Sequence, residues 1–138
     1  MCTEDTFLHK DEHSMVYMDI VQILQLAEHI WKTLGPGFSE AVYHNAFEVE
    51  LRNLGVSYET ERIIPISYKN HVIGSVRSDI VLNNETVIEL KSVTKLNESH
   101  RHQIGIYMDH GPFKTGVLIN FPSSQSVSVE YQTFTSSQ

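Results

Sequence analysis

Val87-Ile88-Glu89-Leu90-Lys91-Ser92-Val93 is the stretch on which the fold turns. It is too short for a helix, and its apolar density predicts a central strand buried on both faces. Side chains alternate along a strand, so Glu89 and Lys91 share one face. Inward-facing charges on such a strand are costly unless they pair or bind a cation. One step upstream, Asn83-Asn84 predicts a tight turn, because Asn tolerates the left-handed conformation that hairpins need. Val72 to Leu82 then reads as the preceding strand, on which Arg77 and Asp79 also share a face. A hairpin with two carboxylates and a lysine converging on one face has a chemical use. Hard oxygen ligands suit Mg²⁺ or Mn²⁺, and a lysine orients a nucleophile or steadies transition-state charge. The spacing alone equally allows a salt-bridged strand pair, Asp79 with Lys91 and Glu89 with Arg77.

Further out, Tyr58 to Tyr68 reads as a strand whose Pro65 suggests an edge or a bulge, followed by a turn at Lys69-Asn70-His71. Two helices precede these strands. From Met15 onward, Val16, Ile20, Leu24, Ala27, Trp31 and Leu34 recur at helical spacing. Leu34-Gly35-Pro36-Gly37 breaks that helix, and Ser39 is the expected N-cap of a second one ending at Gly55. On this second helix Glu40 shares a stripe with Tyr43, Phe47, Leu51 and Leu54, which puts a carboxylate on the core-facing side; compensation of the helix dipole explains it as well. Asn97 is expected to cap a third helix running to Asp109-His110-Gly111-Pro112. His100, Gln103 and Tyr107 lie on one of its faces, either as site residues or as ordinary cap and core. Phe113 to Phe121 and Ser126 to Phe134 complete the strands. The predicted fold is α/β, a central mixed sheet flanked by helices in the order ααβββαββ. Residues 1–14 are expected to form a flexible arm and residues 15–138 a single domain.

Bulk properties narrow the partners. The 138 residues, 41% of them apolar, suffice for one core. No apolar run approaches the roughly 20 residues of a membrane span. The polar, acidic first ten residues do not read as a secretory signal. Cys2 is the single cysteine, with no disulfide or zinc partner, so a reducing intracellular compartment, cytoplasmic or nuclear, is expected. The net charge of −7 excludes a protein that coats nucleic acid by bulk electrostatics. The charge is uneven. Residues 1–61 hold eleven Asp/Glu against three Lys/Arg, whereas residues 62–138 hold six against seven, so the second half is the better surface for a phosphate ligand.

Gly37-Phe38-Ser39-Glu40-Ala41-Val42-Tyr43 matches the motif G-x-x-E-x-x-Y. Arg77-Ser78-Asp79 follows as R-x-D, Glu89-Leu90-Lys91 as E-x-K, and Gln103-Ile104-Gly105-Ile106-Tyr107 as the Q-x-x-x-Y helix of RecB-type nucleases. In this order and spacing, over residues 16–134 and with Val117-Leu118-Ile119-Asn120-Phe121 as closing strand, the chain resembles the GxxExxY proteins of the PD-(D/E)xK nuclease superfamily. Ser78 replaces the proline of the superfamily name, and Trp31 stands where the family often has histidine; neither is a proposed metal ligand. The resemblance implies a restriction-endonuclease-like core and metal-dependent hydrolysis of DNA or RNA phosphodiester bonds. It implies that Asp79 and Glu89 hold Mg²⁺ or Mn²⁺ with the Leu90 carbonyl, and that Glu40 is an auxiliary ligand. Lys91 would assist the attacking water, and Gln103 would orient Lys91 or the substrate. Tyr107, with Arg77 and His100, would contact the nucleic acid. So small a domain is expected to need a homodimer or another partner to hold a duplex. The competing readings are a catalytically silent nuclease-fold interaction module and hydrolysis of a smaller phosphate compound.

Overall fold

A computed structural model describes residues 9–10 and 16–136. Of the expected N-terminal arm only His9–Lys10 (β1) fall within these, and they pair antiparallel with Val16–Tyr17 (β2); the rest of the arm lies outside the described residues. The first helix, α1 (Ile20–Leu34), starts later than the apolar spacing predicts. Asp19 explains this. Its carboxylate accepts the Gln22 amide at 2.9 Å, while the Gln22 side chain accepts the Asp19 amide at 2.8 Å. This reciprocal cap ends the extended stretch that holds Val16. Ile23, Leu26 and Ile30 form the most buried row of α1, with Ala27 and Trp31 beside it; Ile20, Leu24 and Leu34 only flank the core.

The second helix, α2 (Glu40–Leu54), has Ser39 at its N-cap as expected, although no side-chain capping bond forms there. The strands that follow are shorter than the sequence suggests. The stretch 58–68 divides into β3 (Tyr58–Thr60) and β4 (Ile63–Tyr68). Glu61 takes a φ of 52° between them, a conformation that ends a strand. Likewise 71–82 divides into β5 (His71–Arg77) and β6 (Ile80–Leu82), leaving Ser78-Asp79 in the break. Then come β7 (Thr86–Lys91), α3 (Glu98–His110), β8 (Thr115–Asn120) and β9 (Glu130–Thr135). The expected turns at Lys69-Asn70-His71 and Asn83-Asn84 are present, although His71 already begins β5; Lys69, Asn70, Asn83 and Asn84 all have positive φ.

The main sheet runs β3-β6-β7-β8-β9; β7 and β8 are parallel and the other pairs antiparallel. A parallel pair needs a long crossover, and α3 supplies it. Among the described residues β4 and β5 pair only with each other, as a separate ribbon. Helices cover both faces of the sheet. Ile88 and Leu90 of β7 pack with α1 and α2, whereas Val87 packs with Ile104 and Tyr107 of α3. By alternation Glu89 and Lys91 belong to the α3 face. This is the mixed α/β architecture the sequence predicts.

Asn120, fully buried at the end of β8, fastens the loop from β7 to α3. Its side chain accepts the Val93 amide at 2.9 Å, donates to the Val93 carbonyl at 2.9 Å and donates to Glu130 at 3.1 Å. The same Glu130 oxygen accepts the Leu96 amide at 2.9 Å. Asn120→Ala strands several of these groups, at about 1–3 kcal/mol for each buried group left unpaired. A loss of about 3 kcal/mol in urea-unfolding free energy is expected, against less than about 0.5 kcal/mol for an exposed control such as Ser99→Ala.

Candidate metal centre

Three segments converge beside β7, the middle strand of the main sheet. Asp79 sits in the break between β5 and β6, and its Oδ2 accepts the Leu90 amide from β7 at 2.9 Å. That bond turns the carboxylate toward Glu89. Glu40 arrives from the first turn of α2, positioned by the G-x-x-E-x-x-Y segment. Gly37, with φ of 107°, makes the turn into the helix, a conformation that disfavours any side chain. Tyr43, one turn after Glu40, is fully buried. Its hydroxyl donates to the Gly35 carbonyl and its ring stacks on Phe121 at 4.4 Å. The motif is therefore a mechanical unit: Tyr43 locks the helix start that presents Glu40.

The result is one cluster. One carboxylate oxygen from each of Glu40, Asp79 and Glu89 lies within 4.8 Å of the others. Glu40 and Asp79 are open to solvent at one side, whereas Glu89 is only 3% exposed. Lys91 approaches Glu89 Oε2 at 3.4 Å. The salt bridges that strand spacing allowed are thus exchanged, with Lys91 on Glu89 and Arg77 on Glu61 at 3.8 Å.

The sequence profile of the PD-(D/E)XK nuclease superfamily matches residues 18–133. The chain belongs to that superfamily. Among curated proteins none matches. A solved structure described as the crystal structure of SSO0001 is similar in fold, with a TM-score of 0.51 and 19% identity. The similarity covers 70% of this chain and 49% of that one, so this nuclease-superfamily chain matches about half of the solved structure's length. No helix among the described residues is long and apolar enough to cross a membrane.

Nucleases of this superfamily generally use divalent metals, and the donor set here fits one. Three carboxylates offer only hard oxygen ligands. Glu89 Oε1 is a buried oxygen with no hydrogen-bond partner among the described residues, and such an atom bears its full desolvation cost until something coordinates it. The electrostatics agree. Burial, and then the charge of Asp79, push the Glu89 carboxyl up to about 8, with Lys91 acting in the opposite sense. Glu40 is raised too, first by burial, with Asp79 adding to the rise and Lys91 and His44 opposing it. A cation among these groups reverses that pressure toward protonation.

The other expected site residues divide. Gln103 and Tyr107 lie on the α3 face that borders Glu89. Tyr107 is fully buried and donates its hydroxyl to the Arg77 carbonyl at 2.8 Å. Burial foremost, then the charge of Glu89, raises its pKa, while the Gln103 side chain acts on the same hydroxyl in the opposite sense. Tyr107 therefore tethers the β5–β6 break that carries Asp79. The Arg77 side chain is 64% exposed and pairs with Glu61, which lines the same cavity as Glu40 and Asp79. His100 closes a capping box: its Nδ1 accepts the Asn97 amide at 3.1 Å. Burial, then Lys91 and Arg101, lower its pKa. Leu90 is engaged through its amide. Sequence reasoning missed the bond from this amide to Asp79 and the Asn120–Glu130 clamp. A polar residue closing an apolar run, Asn120 after Ile119, was the available signal for the clamp.

Proposed function

We propose that the protein is a divalent-metal-dependent phosphodiester hydrolase acting on nucleic acid. The observation that carries this reading is the buried Glu89 oxygen that has no hydrogen-bond partner among the described residues, one of three converging carboxylates with a lysine beside them. Asp79 and Glu89 would hold Mg²⁺ or Mn²⁺ with the Leu90 carbonyl, and Glu40 would complete the site from α2. When bound, such an ion supplies an acidified water and positive charge against the phosphate. Lys91, held by Glu89, orients the attacking water and stabilises charge developing on the phosphoryl oxygens. Gln103 keeps Lys91 or the substrate in register. The finer placement among the GxxExxY proteins rests on Gly37, Glu40 and Tyr43, whose contacts give each motif position a structural task.

Calorimetric titration with Mg²⁺ and Mn²⁺ tests the metal reading. One site is expected, tightening as pH rises from 6 to about 8 and releasing protons on binding, because the ion displaces the proton held by Glu89. Glu89→Ala should remove binding. Absence of metal binding by the unmodified protein would favour the silent interaction module.

A further inference from the structure

We propose that His44 is a further catalytic residue of this site, the proton donor to the leaving sugar oxygen, held in position by Glu48. The inference rests on the hydrolase reading and concerns the half of that reaction which Lys91 does not serve. Glu40, His44 and Glu48 follow one another at intervals of four along α2, so they share one helix face. That face borders a cavity of about 490 Å³, within the range of ligand sites. Asp79 lines the same cavity. Two of the three converging carboxylates therefore share their open side with an imidazole.

The imidazole is oriented. Its Nε2 lies 3.0 Å from Glu48 Oε2, with the two side chains only 18% and 21% exposed. Glu48 is in turn fixed from two directions. The Tyr58 hydroxyl of β3 donates to its Oε1 at 3.2 Å, and Arg52 approaches the same oxygen at 3.6 Å. A ring positioned by an anchored carboxylate is the arrangement that proton transfer needs. Its second nitrogen, Nδ1, has no hydrogen-bond partner among the described residues and is the atom open to a ligand.

Lysine and histidine reach the carboxylates from different elements. Lys91 comes from β7 and contacts Glu89 at 3.4 Å, whereas His44 comes from α2 and shares the cavity with Glu40 and Asp79. Both lie within electrostatic reach of Glu40, whose upward pKa shift they oppose. In phosphoryl transfer the attacking and leaving oxygens stand roughly in line, on opposite sides of phosphorus. A phosphodiester over the carboxylates, attacked by the water that Lys91 orients, then sheds its leaving oxygen on the His44 side. The water oxygen forms the new P–O bond and gives up a proton to solvent. The P–O bond to the sugar breaks, and the sugar oxygen keeps the bonding pair and takes the proton from His44 Nδ1. Solvent returns that proton to the ring. The other titratable groups around this cavity are Glu40 and Glu48 of α2, Glu61 between β3 and β4, and Asp79 between β5 and β6. All four are carboxylates, acceptors when ionised, so the ring is the proton donor on this wall.

The test compares two leaving groups. A nucleic-acid strand departs through a sugar oxygen that needs a proton, whereas bis(p-nitrophenyl) phosphate expels a stable phenolate that needs none. Rates are measured in Mg²⁺ and Mn²⁺ on single-stranded and duplex DNA and RNA and on this ester, with metal affinity by calorimetry on the same preparations. His44→Gln is expected to lower kcat on the nucleic acid that is cut by about 10²-fold. It should lower kcat far less on the nitrophenyl ester, at unchanged metal affinity. Glu48→Gln, which loosens the ring but keeps it, should show the same split between substrates to a smaller degree. An equal loss on both substrates would make His44 a structural residue of α2 and overturn the proposal. Cleavage of nucleic acid that is undiminished in His44→Gln removes this role alone and leaves the hydrolase reading standing. If the unmodified protein cleaves no nucleic acid, the hydrolase reading fails and this role fails with it.

Discussion

Lys91→Ala is expected to lower nucleic-acid cleavage in Mg²⁺ or Mn²⁺ by about 10²–10³-fold, the usual scale for losing one preorganised charge at a transition state, while divalent-cation binding persists. A lysine ammonium is not a ligand for a cation, so the two properties separate at this residue. Glu89→Ala removes both, because it takes away a carboxylate whose second oxygen has no other partner among the described residues. Ca²⁺, larger and looser in its coordination than Mg²⁺, is expected to bind without supporting turnover. The measurement is a nicking and degradation assay on single-stranded and duplex DNA and RNA, with calorimetry on the same preparations. Cleavage surviving unchanged in both variants would assign it to a contaminant and dismiss the site.

In EDTA the folded protein is expected to lose stability as pH rises from about 4.5 to about 8. The sign follows from Glu89, whose ordinary value of 4.5 is pushed up to about 8 by burial and then by Asp79. Between those limits the folded chain keeps a proton that the unfolded chain has released, so each rise in pH favours unfolding. The loss is at most about 1.4 kcal/mol per pH unit for one group. Glu40, raised in the same direction, adds to it. Glu89→Gln should flatten the profile and stabilise the metal-free protein at pH 8 and above. Saturating Mg²⁺ or Mn²⁺ should reverse the slope by binding the ionised form. Urea melts at pH 5, 7 and 9, with and without metal, decide this. Stability that climbs from pH 5 to 8 in EDTA would mean that Glu89 is satisfied by Lys91 alone, making the cluster a structural ion pair.

Local periodicity made some features legible. Alternation along Val87–Val93 suffices to put Glu89 and Lys91 on one face, and the Gly35-Pro36-Gly37 break separates the first two helices at the correct place. The strand breaks were not legible. Glu61 is no turn former, so nothing local marks the first interruption, whereas Ser78-Asp79, a turn-prone pair, marks the second only weakly inside an otherwise apolar run. The second one matters most: it lets Asp79 accept the Leu90 amide while the Arg77 side chain departs toward Glu61. Strand alternation had kept those two residues together. Glu40 illustrates another limit. Helical spacing shows that it lies on the inner stripe, but its meeting with Asp79 and Glu89 depends on how α2 packs across the sheet. Motif order supplied that link. His100 lay on the expected helix face, yet its ring is used on the backbone at Asn97.

The Asn120–Glu130 clamp has a kinetic consequence. Loop amides ordinarily exchange with solvent through small local openings, whereas amides in central strands wait for cooperative unfolding. The Val93 and Leu96 amides belong to a loop but donate to Asn120 and Glu130, which β8 and β9 carry. Releasing either amide requires detaching a side chain anchored in the main sheet. These two protons should therefore exchange on the timescale of the sheet, and the segment leading from Lys91 to α3 moves as part of the sheet.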